Sequence, residues 1–197
     1  MPIKADIREE EWIRRALKGD DDAFALVVES YQGPVFNLCY RMLGDSFEAE
    51  DAAQEIFIKA YRNLKRYDPE RKFVNWILSI ASNHCIDRLR KRRLKVVSMQ
   101  DLLPSMHLSD PQEGPERTIT LLEQKEFVQE MLEGLKPQDR VAVALRYWYD
   151  MSYVEIADNL NMTVSAVKSR LHRARNELAL EWQAQECSVA LEFEEAG

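Results

Sequence analysis

The sequence predicts an all-α protein made of two small helical domains joined by a flexible linker. Three observations carry this. Glycine is scarce, 6 of 197 residues, so the chain has few built-in breaks. Apolar residues recur at steps of three and four rather than two, the period of a helix with one buried face. One segment alone, VVSMQDLLPSMHLSDPQEGPER from Val96 to Arg117, gathers three of the seven prolines and lacks a sustained apolar stripe. It reads as a linker between domains at residues 1–95 and 118–182, with residues 183–197 as an acidic tail. No internal repeat and no strand pattern is present.

The first helix is expected around Glu9–Lys18. In GDDDAFALVVESY the aspartates Asp20, Asp21 and Asp22 suit the capping and the positive end of a second helix, which continues to Leu43. GDS then breaks the chain, and Asp45 or Ser46 starts a third. Its apolar positions, Ala49, Ala52, Ala53, Ile56, Phe57, Ala60, Tyr61 and Leu64, form a continuous stripe. RYDPERK makes a turn before a fourth helix from Val74 to about Arg93, whose apolar face is Ile77, Ile80, Ala81 and Leu89, with Trp76 nearby.

The clearest motif lies in the second domain. MSYVEIADNL offers Ser152 as N-cap with Glu155 three residues on, the pattern of a capping box. Val154, Ile156, Ala157 and Leu160 form the buried side of a short helix, and NMT makes a turn in which Asn161 tolerates left-handed backbone. TVSAVKSRLHRARNEL follows. Val167, Leu171, Ala174 and Leu178 face a core; Ser165, Ser169, His172 and Arg173 lie opposite, flanked by Lys168, Arg170 and Arg175. Helix, tight turn and basic helix form a helix-turn-helix, with short polar groups toward base edges and cations toward the phosphates.

Why does an acidic chain concentrate positive charge there? The formal net charge is −7, yet the first 95 residues hold 18 basic against 16 acidic groups, whereas residues 118–197 hold 8 against 14. Local charge sets the field that a phosphate meets, so overall acidity does not exclude DNA. A second basic run, Arg88, Arg90, Lys91, Arg92, Arg93 and Lys95, exceeds what a helix C-terminus needs. The same helix carries Asn75, Trp76, Ser79, Ser82, Asn83 and His84, amides and hydroxyls beside an aromatic, as unstacked bases require. Between Asp45 and Ile58 there are five acids and no base, a face that would repel DNA and suits a basic protein partner.

Other classes find little support. The hydrophobic fraction of 46% argues against wholesale disorder. No apolar run is long enough to span a bilayer and the N-terminus lacks a signal-peptide core, so a cytoplasmic protein without membrane insertion is expected. Cys39, Cys85 and Cys187 are widely spaced, which suits reduced packing thiols. No nucleophile–base pair, glycine-rich phosphate loop or metal-ligand spacing occurs, so no enzyme, cofactor, metal or small-molecule substrate is expected. Two other readings use part of these features: a stand-alone regulator of duplex DNA, and a helical adaptor that binds only protein.

The segment AEDAAQEIFIKAYRNLKRYDPERKFVNWILSIASNHCIDRLRKRRLK resembles region 2 of bacterial sigma factors, and LKPQDRVAVALRYWYDMSYVEIADNLNMTVSAVKSRLHRARNEL resembles region 4. The lack of a substantial domain between them is the pattern of the extracytoplasmic-function (ECF) subgroup. The resemblance implies that Glu50, Asp51, Gln54, Glu55 and Phe57 grip the clamp coiled coil of the core RNA polymerase β′ subunit. It implies that Arg71, Lys72, Asn75, Trp76, Asn83, Arg88, Arg90, Lys91 and Arg92 read and open the −10 element. It implies that Ser165, Lys168, Ser169, Arg170, His172, Arg173 and Arg175 read the −35 element, with region 4 resting on the β flap. An anti-sigma factor is an expected partner. Asn161 stands where many relatives have Gly, and Ser165-Ala166 replaces a common Gly-Thr. The tail from Gln183 reads as disordered.

Overall fold

The computed structural model describes the backbone of residues 7–100 and 121–195, and the side chains of residues 8–94 and 126–184. Helices α1 (Ile7–Leu17), α2 (Asp21–Leu43), α3 (Ser46–Asn63) and α4 (Phe73–Gln100) form the first bundle, with a 3₁₀ turn at Leu64–Arg66 before α4. Helices α5 (Leu121–Gly134), α6 (Pro137–Tyr147), α7 (Tyr153–Leu160) and α8 (Val164–Glu195) form the second.

The caps follow from local chemistry. Asp20 Oδ1 accepts from the Ala23 N–H, and Asp45 Oδ1 from the Glu48 N–H, each satisfying an orphan donor of a first turn. Gly44 ends α2 at φ +82°, a conformation that disfavours any residue with a Cβ.

Helix α2 packs against α1, α3 and α4. Leu38, Ile56 and Ile77, from α2, α3 and α4, are fully enclosed. Each contributes ~1.5–3 kcal/mol through burial. Cys39 and Cys85 are free thiols in the same core with sulfurs 3.7 Å apart, as packing residues should be. Their mutual hydrogen bond, then burial, pushes the Cys39 thiol far up from its ordinary range. Cys187 lies outside the described side chains.

Several boundaries differ from expectation. Helix α4 runs on through Val96–Gln100, five residues into the expected linker, because no Gly or Pro occurs before Pro104 and extending a helix is easier than starting one. The rest of the linker lies outside the described residues. Helix α8 likewise continues to Glu195, correcting the expectation of a disordered tail; it holds no Gly or Pro. Ser82, grouped by sequence with base-contacting polar residues, is fully buried and donates to the Leu78 carbonyl at 2.7 Å. That back-bond lets a hydroxyl sit in a core.

The two bundles are docked. Buried Arg140 of α6 donates to the Met42 carbonyl at 2.6 Å, and Gln129 of α5 to the Arg41 carbonyl at 3.4 Å. Both meet the negative end of α2, where a cation is favoured. Arg41 stacks over Trp148 at 4.5 Å, and the Tyr149 hydroxyl donates to the Pro34 carbonyl at 2.6 Å.

Candidate functional site

The helix-turn-helix is assembled from α7, the turn and α8. Ser152 and Glu155 form the expected capping box, and Asn161 adopts φ +51°, ψ +54° at the end of α7. The Thr163 hydroxyl then accepts from the Ala166 N–H to start α8. Val167, Leu171 and Ala174 are buried, which sets the roll of α8 and leaves Ser165, Lys168, Ser169, His172, Arg173 and Arg175 exposed.

Arg170 is the exception. Five residues beyond Ser165, at 100° per residue, it emerges on the inner edge of the helix. Its Nη1 lies 2.8 Å from Asp139 Oδ1 and its Nη2 donates to Gln138 Oε1 at 2.5 Å. Asp139 is only 1% exposed, so this is a half-buried anchor to α6. The reading of Arg170 as a phosphate contact gives way to that of a bolt. Arg173 Nη2 stands 3.7 Å from the same carboxylate but remains 58% exposed.

The residues read as −10 contacts divide by helical phase. At the entrance and along one side of α4 lie Lys72, Asn75, Trp76, Ser79, Asn83 and Arg90, spaced to share a face. Trp76 is half-buried, held by Tyr67 and Phe73 with ring centroids 5.4 and 5.2 Å away. Arg71 is exposed beside Asp68 at 3.6 Å. Arg88 and Arg92 point elsewhere. Arg88 Nη2 pairs with Asp51 at 2.7 Å and Arg92 Nη1 with Glu48 at 3.9 Å, so both meet α3. Lys91 is exposed between the two sides. His84, grouped by sequence with the base-contacting residues, also faces α3, near Lys59 and Glu55. Burial, then the Lys59 cation, lowers its pKa.

On α3, Glu50, Asp51, Gln54 and Glu55 are exposed, while Phe57 packs partly against the core. Sequence reasoning missed the apolar ends of this face. Phe47 is 80% and Ile58 51% exposed, and both fall on the side that carries Glu50, Asp51 and Gln54. The signal was available: Phe47 lies outside the stripe that runs from Ala49 to Ala60. The second bundle also carries a largely apolar recess of about 300 Å³ lined by Val128, Met131, Val143, Tyr147, Leu178 and Trp182, with Arg175 of α8 on its wall.

Comparison with known proteins agrees with this geometry. Residues 27–95 match the family model for sigma-70 region 2, and residues 127–178 that for sigma-70 region 4. The chain is 38% identical over 172 residues to the ECF RNA polymerase sigma factor SigW of Bacillus subtilis, covering 84% of this chain and 92% of that protein. It is 33% identical over 174 residues to the RNA polymerase sigma-H factor of Pseudomonas aeruginosa, covering 85% and 90%. In fold it is similar to CnrH, solved in complex with the cytosolic domain of CnrY, with a TM-score of 0.64 and 24% identity over 90% of this chain and 98% of that one. Two family regions matched in order, and relatives aligned over most of both lengths, establish that the chain belongs to the ECF sigma factors of RNA polymerase.

Proposed function

We propose that the chain is an alternative sigma factor whose two bundles divide promoter recognition between them. The exposed side of α3, with acidic Glu50, Asp51, Gln54 and Glu55 bracketed by Phe47 and Ile58, takes the β′ clamp coiled coil. The apolar recess of the second bundle takes the β flap. Lys72, Asn75, Trp76, Asn83 and Arg90 contact the opened −10 strand, with Arg71 and Lys91 on its flanks. Ser165, Ser169, His172 and Arg173 enter the −35 major groove, with Lys168 and Arg175 on the flank toward the phosphates.

The observation that carries this reading is that one chain presents two separate basic and polar surfaces, one on α4 and one on α8, beside an acidic face that DNA would avoid. A stand-alone duplex-binding regulator uses only the second. Catalysis stays with the polymerase: this chain supplies specificity by tethering two weak DNA contacts to it, which raises their effective concentration. Its place of action is with that enzyme in the cytoplasm. No helix among the described residues is long and apolar enough to cross a membrane. An anti-sigma factor as its regulator is supported by a neighbour in fold, the sigma factor RpoE of Bartonella quintana, which was solved in complex with the anti-sigma factor NepR.

The test is assembly and opening. Purified chain and core polymerase should co-elute, and permanganate should then modify unpaired thymines near −10 on a responsive promoter. Absence of both would overturn the proposal.

A further inference from the structure

The entrance of α4 already has an occupant. Glu155 Oε1 lies 3.0 Å from Lys72 Nζ and 3.2 Å from Asn75 Nδ2. One turn along α7, Asn159 Nδ2 donates to the Asn75 carbonyl at 3.1 Å, and the Asn159 side chain is buried there. The two oxygens of Glu155 divide their work: Oε2 accepts from the Ser152 N–H and hydroxyl in the capping box, and Oε1 is left for the other bundle. The first helix of the −35 reader therefore engages two groups assigned to −10 recognition. The cleft beside this contact, about 640 Å³, is lined on one side by Tyr67, Arg71 and Lys72 and closed on the other by Asp150 and Glu155, carboxylates that would repel a phosphate.

This arrangement cannot be the one that reads a promoter. Elements at −35 and −10 are separated by about 25 base pairs, on the order of 80 Å at 3.4 Å per pair. A chain whose α7 touches its α4 at 3 Å cannot hold both.

We propose that Lys72 and Asn75 form one binding surface with two mutually exclusive occupants: Glu155 and Asn159 of α7 in the free chain, and single-stranded DNA once the bundles separate. This rests on the −10 assignment made above. The contact works as a latch that keeps the free protein from engaging DNA. Lys72 is 70% exposed and Glu155 27%, so the ion pair alone is weak and reversible, as a latch has to be. The phosphate backbone offers Lys72 a competing anion, and opening by polymerase removes Asp150 and Glu155 from the cleft at the same time.

Two full-length variants test it. Glu155→Gln keeps an N3 residue that supports a capping box but loses the charge and one acceptor oxygen. Asn159→Ala removes the second contact without changing charge, so a gain in DNA binding cannot come from lost repulsion. Thermal melting by circular dichroism checks that each variant is folded. Small-angle scattering of the free chain should show a larger radius of gyration for both. Anisotropy with a fluorescein-labelled, random-sequence single-stranded 20-mer should show binding tightened by about threefold or more, the size expected from shifting a two-state population by a weak contact. Folded variants that keep wild-type scattering and wild-type affinity would overturn the latch. If Lys72→Ala and Asn75→Ala leave promoter opening by the polymerase complex intact, the −10 assignment falls and the proposal with it. If those two lose opening while Glu155→Gln and Asn159→Ala change nothing, the latch alone is wrong.

Discussion

Arg170 Nη1 sits 2.8 Å from Asp139 Oδ1, a carboxylate 1% exposed, so a cation of the DNA-reading helix is spent on holding that helix in place. The contact runs from α8 to α6 and fixes the roll that presents Ser165, Ser169 and His172. Arg170→Ala leaves a buried carboxylate whose remaining ion-pair partner among the described residues is Arg173, 3.7 Å away. A loss of about 3 kcal/mol in urea unfolding is expected, at the low end for a broken buried pair because Arg173 remains. Arg173→Ala should cost little stability yet weaken discrimination among −35 sequences. Selection from a −35 library by each variant separates the roles: base preference should shift for Arg173→Ala and stay unchanged for Arg170→Ala wherever it is folded.

The face of α3 gives a second prediction. Asp51→Arg should weaken binding to core polymerase at least tenfold by placing like charge against a basic partner and by expelling Arg88, now 2.7 Å away. Phe47→Ala, at a side chain 80% exposed, should reduce polymerase binding without lowering the melting temperature. Titration with labelled core polymerase measures both. Unchanged affinity in the two variants would remove the assignment of this face.

Glu155 carries a pH signature. Burial alone would raise its carboxyl, but hydrogen bonds from the Ser152 N–H, Lys72, Asn75 and the Ser152 hydroxyl more than reverse this and hold it at about 2, against an ordinary 4.5. A folded-state value below the unfolded one means that the unfolded chain takes up the proton first. The stabilisation is therefore fully present above about 4.5 and is lost as pH falls toward 2. The stability gap between wild type and Glu155→Gln should be level near pH 6–7 and close across that acid window, as read from urea midpoints. A gap independent of pH would contradict an ionised Glu155 held by these hydrogen bonds.

Core packing supplies a fourth prediction. Ile56 is fully buried between α3 and its neighbours, and Ile56→Ala should cost about 2–5 kcal/mol, read from urea denaturation. Ile58→Ala, two residues on and 51% exposed, should cost under about 1 kcal/mol.

What could be read from sequence was what depends on near neighbours. The Ser152–Glu155 box and the left-handed Asn161 are each decided within four residues, and the buried stripe of α3 within one helix. The other caps were narrowed only to Asp20–Asp22 and to Asp45 or Ser46, and the folded backbone selects Asp20 and Asp45. Contacts between distant residues left no such mark. Nothing near Arg170 in sequence announces Asp139 or Gln138, and the basic run 88–95 reads as one patch until helical phase sends Arg88 and Arg92 to α3 and leaves Arg90 with Asn83. The docking of the bundles was hidden for the same reason: Glu155 looked complete as a capping residue, and only one of its oxygens is used there.

Run-off transcription from a promoter library by purified core polymerase, with and without this chain, tests promoter-specific initiation itself. Discrete new start sites that share −35 and −10 sequences should appear, in reduced yield with Lys72→Ala and with relaxed −35 preference for Arg173→Ala. A folded chain, free of inhibitor, that adds no transcripts and leaves the polymerase's start sites unchanged would contradict it.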